Sequence, residues 1–414
     1  MTRLLNRSFS ICNLQPYLDK GAATLGAWKG RLLQQTGRLA LINSVVTSTV
    51  TFFLTIFAPY KWFINKFDEL RRNFLWNADE EAHGAKCLVN WKRICAPKAV
   101  GGLGIKNLSA FSTALRLRWP WFEWDDMDRP WKGTPTPCDA ADQQLFQSCT
   151  NINVGNGART TFWTDRWLDG VAPMDLAPGL YNIAKHKMIS VADAIREGGW
   201  MKGLQRMASA DLLQAFVSLW HKVQQFSLNG EEDKITWNIS ANGNYSAKSA
   251  YEQQFIARIP VPRLLRVWKV KAESKVQFFI WTLIQNRLWT ADLLQRRGWE
   301  HQATCCACDQ VLESANHIIL GCPFAKEVWH LMANQFSKAA MVALQSSSIN
   351  TWWDKTFKLK KKGVLLDECT GAVYVAWNLW NERNRRIFQN QRRSAAGVCS
   401  LIRDELGLLK EAWE

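Results

Sequence analysis

Four residues of the kinds that bind metal ions lie close together in the last third of the chain. Cys305 and Cys308 are separated by two residues, His317 follows nine positions after Cys308, and Cys322 follows five positions after His317. Structural zinc sites take four ligands from Cys and His, and a two-residue gap lets two thiolates face one metal. The spacing therefore predicts a structural zinc site with three sulfurs and one nitrogen, which leaves no open position for metal catalysis.

Two neighbouring residues compete for a place in this ligand set. Cys306 sits inside the knuckle between two of the predicted ligands, and His301 precedes it by a few positions. Cysteine and histidine are both zinc ligands, so the spacing leaves Cys306 open as a replacement for Cys305 and His301 as a weaker competitor. The simplest alternative is that all of these are ordinary reduced cysteines without a metal.

Other patterns that could indicate catalysis are incomplete. Asp125 and Asp126 follow an aromatic residue, as carboxylates that hold Mg²⁺ in polymerases do, but they come after a predicted helix and not in a strand hairpin. The Gly101–Gly104 stretch lacks the Gly-Lys-Ser/Thr ending of a phosphate loop. We interpret both as structural, and we expect no enzyme activity.

Basic residues near the C-terminus form a candidate nucleic-acid surface. The candidates are Lys358, Lys360, Lys361, Lys362, Arg383, Arg385, Arg386, Arg392 and Arg393. Such side chains can bind phosphates while neighbouring aromatic residues, here Trp377, Trp380 and Phe388, stack on bases. The alternative interpretation is a solvated helix face whose aromatic side chains lie in the core.

Composition narrows the class of protein. The 414 residues carry a formal net charge of +16, which favours polyanionic partners such as RNA or DNA. The 11 cysteines are unevenly spaced and no secretory segment precedes them, so we expect a reducing compartment, nucleus or cytoplasm. The uncharged stretch from Leu39 to Tyr60 is diluted by polar residues, which predicts a mostly buried helix and no membrane partner.

Periodicity predicts a mainly α fold with small β elements, in the α+β class. Helices are expected over most of residues 18–76, in a Trp-rich region from Trp268 to Gly298, and in two long C-terminal segments. A hairpin is predicted around residues 234–246, and a linker begins at Arg129. The predicted domains are 1–128, 129–230, 231–335 and 336–414.

Several further motifs occur in order along the chain: Trp28 to Ser44, Phe74-Leu75-Trp76, Val89-Asn90-Trp91, Cys95 to Lys98 with Gly101 to Ile105, Gly155-Asn156-Gly157, and Phe162-Trp163 to Trp167. Together they resemble the region after the polymerase palm in plant LINE-class, non-LTR retrotransposon reverse transcriptases. The stretch from Asp233 to Trp329, which contains the four predicted zinc ligands, is similar to the "zinc-binding in reverse transcriptase" domain. Trp380 to Phe388 matches the segment that follows it.

This resemblance implies a helical, thumb-like N-terminal region, a Trp-rich helical zinc-knuckle domain and a helical basic tail. In the family, the palm with its catalytic carboxylates precedes the region that this chain matches, so polymerase activity is not expected here. The leading hypothesis is a non-catalytic, transposon-derived protein that binds RNA or DNA in a sequence-tolerant way. The runner-up is a protein-interaction scaffold, with the parent element's palm as a partner, or a remnant without independent function.

Overall fold

A computed structural model describes residues 11–25, 32–77, 87–125, 136–206 and 209–413. Within these ranges helices dominate, and the two short strands form a single sheet, so the predicted mainly α fold with small β elements is confirmed. The predicted linker from Arg129, Asp126 of the candidate acid pair, and Trp28 of the family motif lie outside the described residues. The described residues form two compact units, one including Thr51–Tyr60 and Leu108–Gln254 and the other including most of the remainder.

The first unit is a set of short helices around one two-stranded sheet. Its helices are Leu108–Arg116, Arg118–Asp125, Ala140–Cys149, Pro173–Leu176, Pro178–Ile183, Val191–Ile195, Arg196–Gly198, Gly199–Lys202, Ala210–Gln224 and Ala247–Gln253. The strands Thr150–Asn153 and Lys234–Trp237 pair antiparallel, with Thr150 opposite Trp237. The hairpin prediction is therefore wrong: strand Lys234–Trp237 pairs with Thr150–Asn153 and not with the residues that follow it. The Trp237 N–H donates to the Gly243 carbonyl at 2.7 Å, so the residues after this strand form a turn and do not return as a second strand.

Aromatic side chains fill the core of this unit. Its buried members include Phe162, Trp163, Trp167 and Trp200, with the Phe162 and Trp200 rings stacked at 5.5 Å between centroids. Such rings contribute large buried apolar areas and favourable edge and stacking geometry. The high Trp content of the sequence is explained here by core packing.

A buried carboxylate organises the loop that follows the first strand. Asp233 accepts hydrogen bonds from the backbone N–H groups of Gly155 and Gly157, both at 2.8 Å, and of Arg159 and Thr160, both at 3.0 Å. Burial acts to raise the pKa of Asp233, but the bonds from Gly157 and Gly155 outweigh it and lower that pKa below its ordinary value. Asp233 therefore has a structural role, which the turn signal at Gly155 did not reveal.

Asp233→Asn is expected to destabilise the first unit by about 3 kcal/mol, because the amide turns two donors toward a ring of N–H donors. Urea unfolding of the full chain, with hydrogen exchange of the Gly155–Thr160 amides, measures the effect. Glu232→Gln, at the exposed neighbouring position, is the control and should change stability by less than about 0.5 kcal/mol. Because the folded-state pKa is lowered, the carboxylate's contribution is present above about pH 4 and is lost as the pH falls through that lowered value.

The second unit contains the longer helices and the predicted zinc ligands. Its helices are Ile11–Thr24, Lys61–Asn77, Trp91–Ile94, Lys98–Val100, Pro262–Val267, Ser274–Ile284, Ala291–Arg296, His317–Gly321, Pro323–Met332, Ser337–Leu344, Ile349–Lys358, Glu368–Gln389 and Ala395–Trp413. Ser274–Ile284 is buried from Val276 to Ile284 except at Gln277, and it packs on Glu368–Gln389. The Trp281 indole N–H donates to the Gly101 carbonyl at 2.9 Å. Gly102 is required beside it, because a Cβ there would lie 2.0 Å from the Ala96 oxygen.

One further helical run, Gln35–Ile56, is long and apolar enough to cross a membrane by length and composition. Of its most apolar stretch, 33% is buried. Ile42, Val46 and Val50 are buried, while Val45 and Phe52 are exposed. The helix is therefore less buried than predicted, because its buried residues lie on one face and the opposite face carries exposed side chains.

Candidate metal centre

A tight loop presents the first two predicted ligands. The Cys305 N–H donates to the Val311 carbonyl at 2.8 Å, and the Asp309 N–H donates to the Cys305 carbonyl at 2.8 Å. Asp309 adopts a left-handed conformation with φ of 54°, which Asp tolerates better than most residues, and this reverses the chain after Cys308. The two-residue gap thus lies in a knuckle that turns both thiols to one side.

The other two ligands sit at the two ends of a short π-helical turn, His317–Gly321. The Cys322 N–H donates to the His317 carbonyl at 2.7 Å, five residues back, and closes this turn. Such turns are rare and occur often at functional sites. Pro323 then occupies the first turn of helix Pro323–Met332, where its missing N–H costs nothing, so Cys322 is held at a helix start.

The four ligand atoms surround one point. All of them lie within 4.8 Å of one another, with 3.9 Å between the Sγ atoms of Cys305 and Cys322. The Sγ of Cys308 lies 3.3 Å from Nε2 of His317. A tetrahedral zinc with ordinary Zn–S and Zn–N bonds has ligand–ligand edges of about 3.5 to 3.8 Å. The arrangement therefore fits a four-coordinate zinc ion that is closed to substrate.

The electrostatics of the pocket favour a thiolate before any metal binds. The hydrogen bond between the two sulfurs lowers the pKa of Cys305 and raises that of Cys322, so the pair favours one thiolate, and the N–H groups of Ala307 and Cys308 also lower the pKa of Cys305 against the effect of burial. The Ala307 N–H lies 3.5 Å from the Cys305 sulfur. Because the thiolate is the metal-binding form, the Cys322 thiol and the backbone N–H groups together favour the state of this sulfur that binds zinc.

Neither competing residue joins the set. The Cys306 thiol is buried and donates to the Arg383 carbonyl at 3.8 Å, and it does not belong to the group of four ligand atoms. Burial raises the pKa of Cys306 to about 11, so it stays a thiol. The His301 ring lies 2.8 Å from the Trp299 carbonyl through Nδ1. The spacing left both alternatives open, and the geometry selects Cys305, Cys308, His317 and Cys322.

A buried ion pair links the metal-binding loop to helix Glu368–Gln389. Arg383, on helix Glu368–Gln389, donates to both carboxylate oxygens of Glu313, at 3.0 Å through Nε and 2.6 Å through Nη2. Glu313 is 1% exposed and also accepts the Ala291 N–H at 3.0 Å. It was not recognised in the sequence, where a lone acid between two ligands carries no signal. The pair connects the metal loop to the long helix through a side chain that lies 70 positions further on.

The nine predicted nucleic-acid residues do not form one surface. Arg383 is buried, Arg385 and Arg386 both donate to Glu382, and the Arg386 guanidinium also lies 4.4 Å from the centre of the Phe324 ring. The lysines at 358, 361 and 362 and the arginines at 392 and 393 are exposed, and Lys360 is half-buried. Lys358–Lys362 precede helix Glu368–Gln389 and Arg392–Arg393 follow it, so about 33 Å of helix separates the two groups.

The aromatic residues of that prediction are also divided. Phe388 is 76% exposed. Trp377 and Trp380 pack against Phe279, with ring centroids at 5.5 and 6.4 Å. Both are half-buried on the face of helix Glu368–Gln389 that packs against helix Ser274–Ile284, whereas Phe388 lies in the open.

The four ligands lie in a stretch that matches a known domain family. Residues 245–329 match the family model of the zinc-binding domain in reverse transcriptase. All four ligands fall inside the matched range, so the predicted zinc cofactor is confirmed for this reverse-transcriptase zinc-binding domain.

A longer similarity extends beyond the zinc-binding domain. The chain is 24% identical over 424 residues to an Arabidopsis thaliana protein named "Putative ribonuclease H protein", with 95% of this chain and 66% of the relative's length covered. The chain thus spans less than two thirds of that relative. Together with the reverse-transcriptase zinc-binding domain, this similarity indicates a retrotransposon-derived protein.

Proposed function

We propose that the chain is a non-catalytic part of a plant LINE-class, non-LTR retrotransposon reverse transcriptase, from the region C-terminal to the polymerase palm. In this proposal it binds RNA or DNA with little sequence preference. The zinc ion holds the accessory domain in shape and takes no part in chemistry. The LINE class and the position after the palm rest on the ordered sequence motifs from Trp28 to Phe388.

The exposed positive charge carries the binding proposal. The net charge is +16, and Lys358, Lys361, Lys362, Arg392 and Arg393 are exposed. Nucleic-acid phosphates release bound counterions when such side chains neutralise them, which gives affinity without base recognition. Because the two exposed groups lie at opposite ends of one helix, they suit a long, flexible strand better than a compact anion.

The carboxylates support a non-catalytic role. Asp125 ends helix Arg118–Asp125 and is not part of a strand. The carboxylate of Asp233 accepts bonds from its own loop, which leaves it poorly suited to hold a metal. The zinc ligands form a complete set of four, so the domain offers no open coordination position.

A salt-titrated binding assay with labelled RNA and DNA strands tests this function. We expect log affinity to fall linearly with log salt, by about 0.7 per neutralised phosphate on a single strand. The variant Lys358→Gln, Lys360→Gln, Lys361→Gln, Lys362→Gln should bind more weakly and flatten this slope. A control with four exposed charges removed elsewhere, at Lys185, Arg196, Arg206 and Lys248, should bind more tightly than the test variant. No measurable binding of either nucleic acid at low salt would contradict the proposal.

A second candidate function is protein interaction, with the palm of the parent element as the partner. The observation that favours it is the exposed apolar segment Ile256–Val261, in which Ile256 is 75% and Ile259 is 90% exposed. Exposed apolar patches mark interaction surfaces. If the purified chain aggregates alone and becomes soluble with a palm domain, this function is favoured; a soluble monomer that ignores the palm argues against it.

A further inference from the structure

An aromatic cavity opens in the second unit beside the buried helix Ser274–Ile284. Its volume is about 180 Å³, and the rings of Phe278, Phe279, Trp289, Trp377 and Trp380 line it. We call this cavity the aromatic pocket. A cavity of about 150 Å³ lined by apolar side chains accommodates a benzene molecule, so the aromatic pocket has room for one planar ring.

The polar atoms of the aromatic pocket suit a ring with hydrogen-bonding edges. The Trp377 indole N–H is buried and has no hydrogen-bond partner among the described residues. Gln34, Gln35 and Thr36 line the same cavity and carry donors and acceptors. Lys275 also lines it, with its ammonium paired to Glu273 at 2.8 Å. The indole N–H and the polar lining together match a flat, polar-edged ring better than an aliphatic chain.

A second cavity, of about 500 Å³, is strongly basic. Lys92, Arg93, Arg258 and Arg287 line it, and no carboxylate lines it among the residues that the structure describes. We call it the basic cleft. All four side chains are exposed; Arg93 donates to Gln285 at 3.1 Å, and Arg258 donates to the Lys92 carbonyl at 3.4 Å. Four like charges around one concavity raise the local positive potential, which an anion relieves.

The two cavities adjoin along the chain. Leu88 lines the aromatic pocket and Val89 lines the basic cleft, while Leu288 lines the pocket and Arg287 lines the cleft. At both places the lining passes from one cavity to the other between residues consecutive in the chain, whose Cα atoms are about 3.8 Å apart. Arg297 adds charge at this edge, since its guanidinium lies 4.5 Å from the centre of the Trp289 ring.

We propose that these cavities form one binding site for single-stranded nucleic acid, in which the basic cleft takes backbone phosphates and the aromatic pocket takes one unstacked base. This proposal rests on the proposed nucleic-acid function and assigns it a location. A duplex keeps its bases stacked and paired, so it cannot fill the aromatic pocket without disruption. Single strands can splay a base onto an aromatic surface, and such stacking tolerates any base.

The first test locates the base. The zinc-loaded full chain is mixed with a short single strand, RNA in one arm and DNA in the other, that carries 5-bromouracil, and is irradiated. Crosslinks are expected in peptides that contain Trp289, Trp377 or Trp380. Crosslinks confined to the 358–362 or 392–393 segments would overturn the proposed location and leave the proposed function standing.

The second test removes the cleft charges. The variant Arg93→Gln, Arg258→Gln, Arg287→Gln should bind the single strand about tenfold more weakly, with a salt slope less steep by about 2. The control Lys185→Gln, Arg206→Gln, Lys248→Gln loses the same net charge from the first unit and should change the slope by less than half as much. Equal slopes for the two variants would overturn the site, whereas a wild-type chain that binds no strand would overturn both the site and the function.

Discussion

Cys308→Ala and His317→Ala are each expected to unfold the segment from residue 300 to 335 and to abolish zinc retention. Structural zinc sites supply on the order of 10 kcal/mol of folding free energy, and a three-ligand remnant keeps little of it. The ligand atoms lie within 4.8 Å of one another, so each ligand contributes to a single centre. Hydrogen exchange over residues 300–335, read beside the zinc content of the purified chain, measures the loss.

The knuckle provides its own control for that experiment. Cys306 lies between two ligands, yet its thiol faces the Arg383 carbonyl. Cys306→Ala should therefore retain one zinc per chain and cost only the small amount expected for a buried thiol. Equal loss of zinc in Cys306→Ala and Cys308→Ala, or unchanged exchange protection in strong chelator, would contradict the assigned ligand set.

Arg383→Ala is expected to destabilise the second unit by about 3 to 5 kcal/mol, because it leaves the Glu313 carboxylate buried without its cation. Glu313 is 1% exposed and Arg383 donates to both of its oxygens, so water cannot replace the lost bonds without opening the packing. Urea unfolding of the zinc-loaded chain measures the change. A double-mutant cycle with Glu313→Gln separates the pair from the other bonds that Glu313 makes.

Arg392→Ala is the matched control for this prediction. Arg392 is exposed just beyond the end of helix Glu368–Gln389, and its removal should change stability by less than about 0.5 kcal/mol. For nucleic-acid affinity the order should reverse. Arg392→Ala should weaken binding more than Arg383→Ala does, because only Arg392 is proposed to contact nucleic acid. An Arg383→Ala chain with wild-type stability and weakened binding would show that the arginine serves the ligand and not the fold.

The zinc ligands were predictable because the information is local. Cys305 to Cys322 spans one loop and one π-helical turn, and the coordination chemistry of zinc restricts which residues can share it. The choice between Cys305 and Cys306 was not predictable, since adjacent thiols differ only in direction. That direction depends on backbone bonds such as Cys305 to Val311.

The basic residues show the opposite case. A run of arginines in a sequence does not reveal how deeply each side chain is buried. Arg383 is buried with its guanidinium paired to Glu313, which lies 70 positions earlier in the chain. The residues of the basic cleft were missed for the same reason. Arg93, Arg258 and Arg287 are scattered in the sequence, and only the fold of the second unit brings them to one cavity.

The β elements and tryptophans also depended on long-range packing. Lys234–Trp237 pairs with Thr150–Asn153, a strand more than 80 positions away, and no turn signal predicts such a pairing. Trp163, Trp281 and Trp329 are almost fully buried, and the sequence alone does not predict which tryptophans enter the core. Mainly α character could be predicted because helical periodicity is visible within each short segment.

X-ray absorption at the zinc edge, combined with elemental analysis of the purified chain, tests the structural zinc centre most directly. We expect one zinc per chain with three sulfur neighbours at about 2.3 Å and one nitrogen at about 2.0 to 2.1 Å. This is the signature of Cys305, Cys308, His317 and Cys322 around a closed site. A folded chain without zinc, a shell of four sulfurs, or an oxygen ligand from water would contradict it.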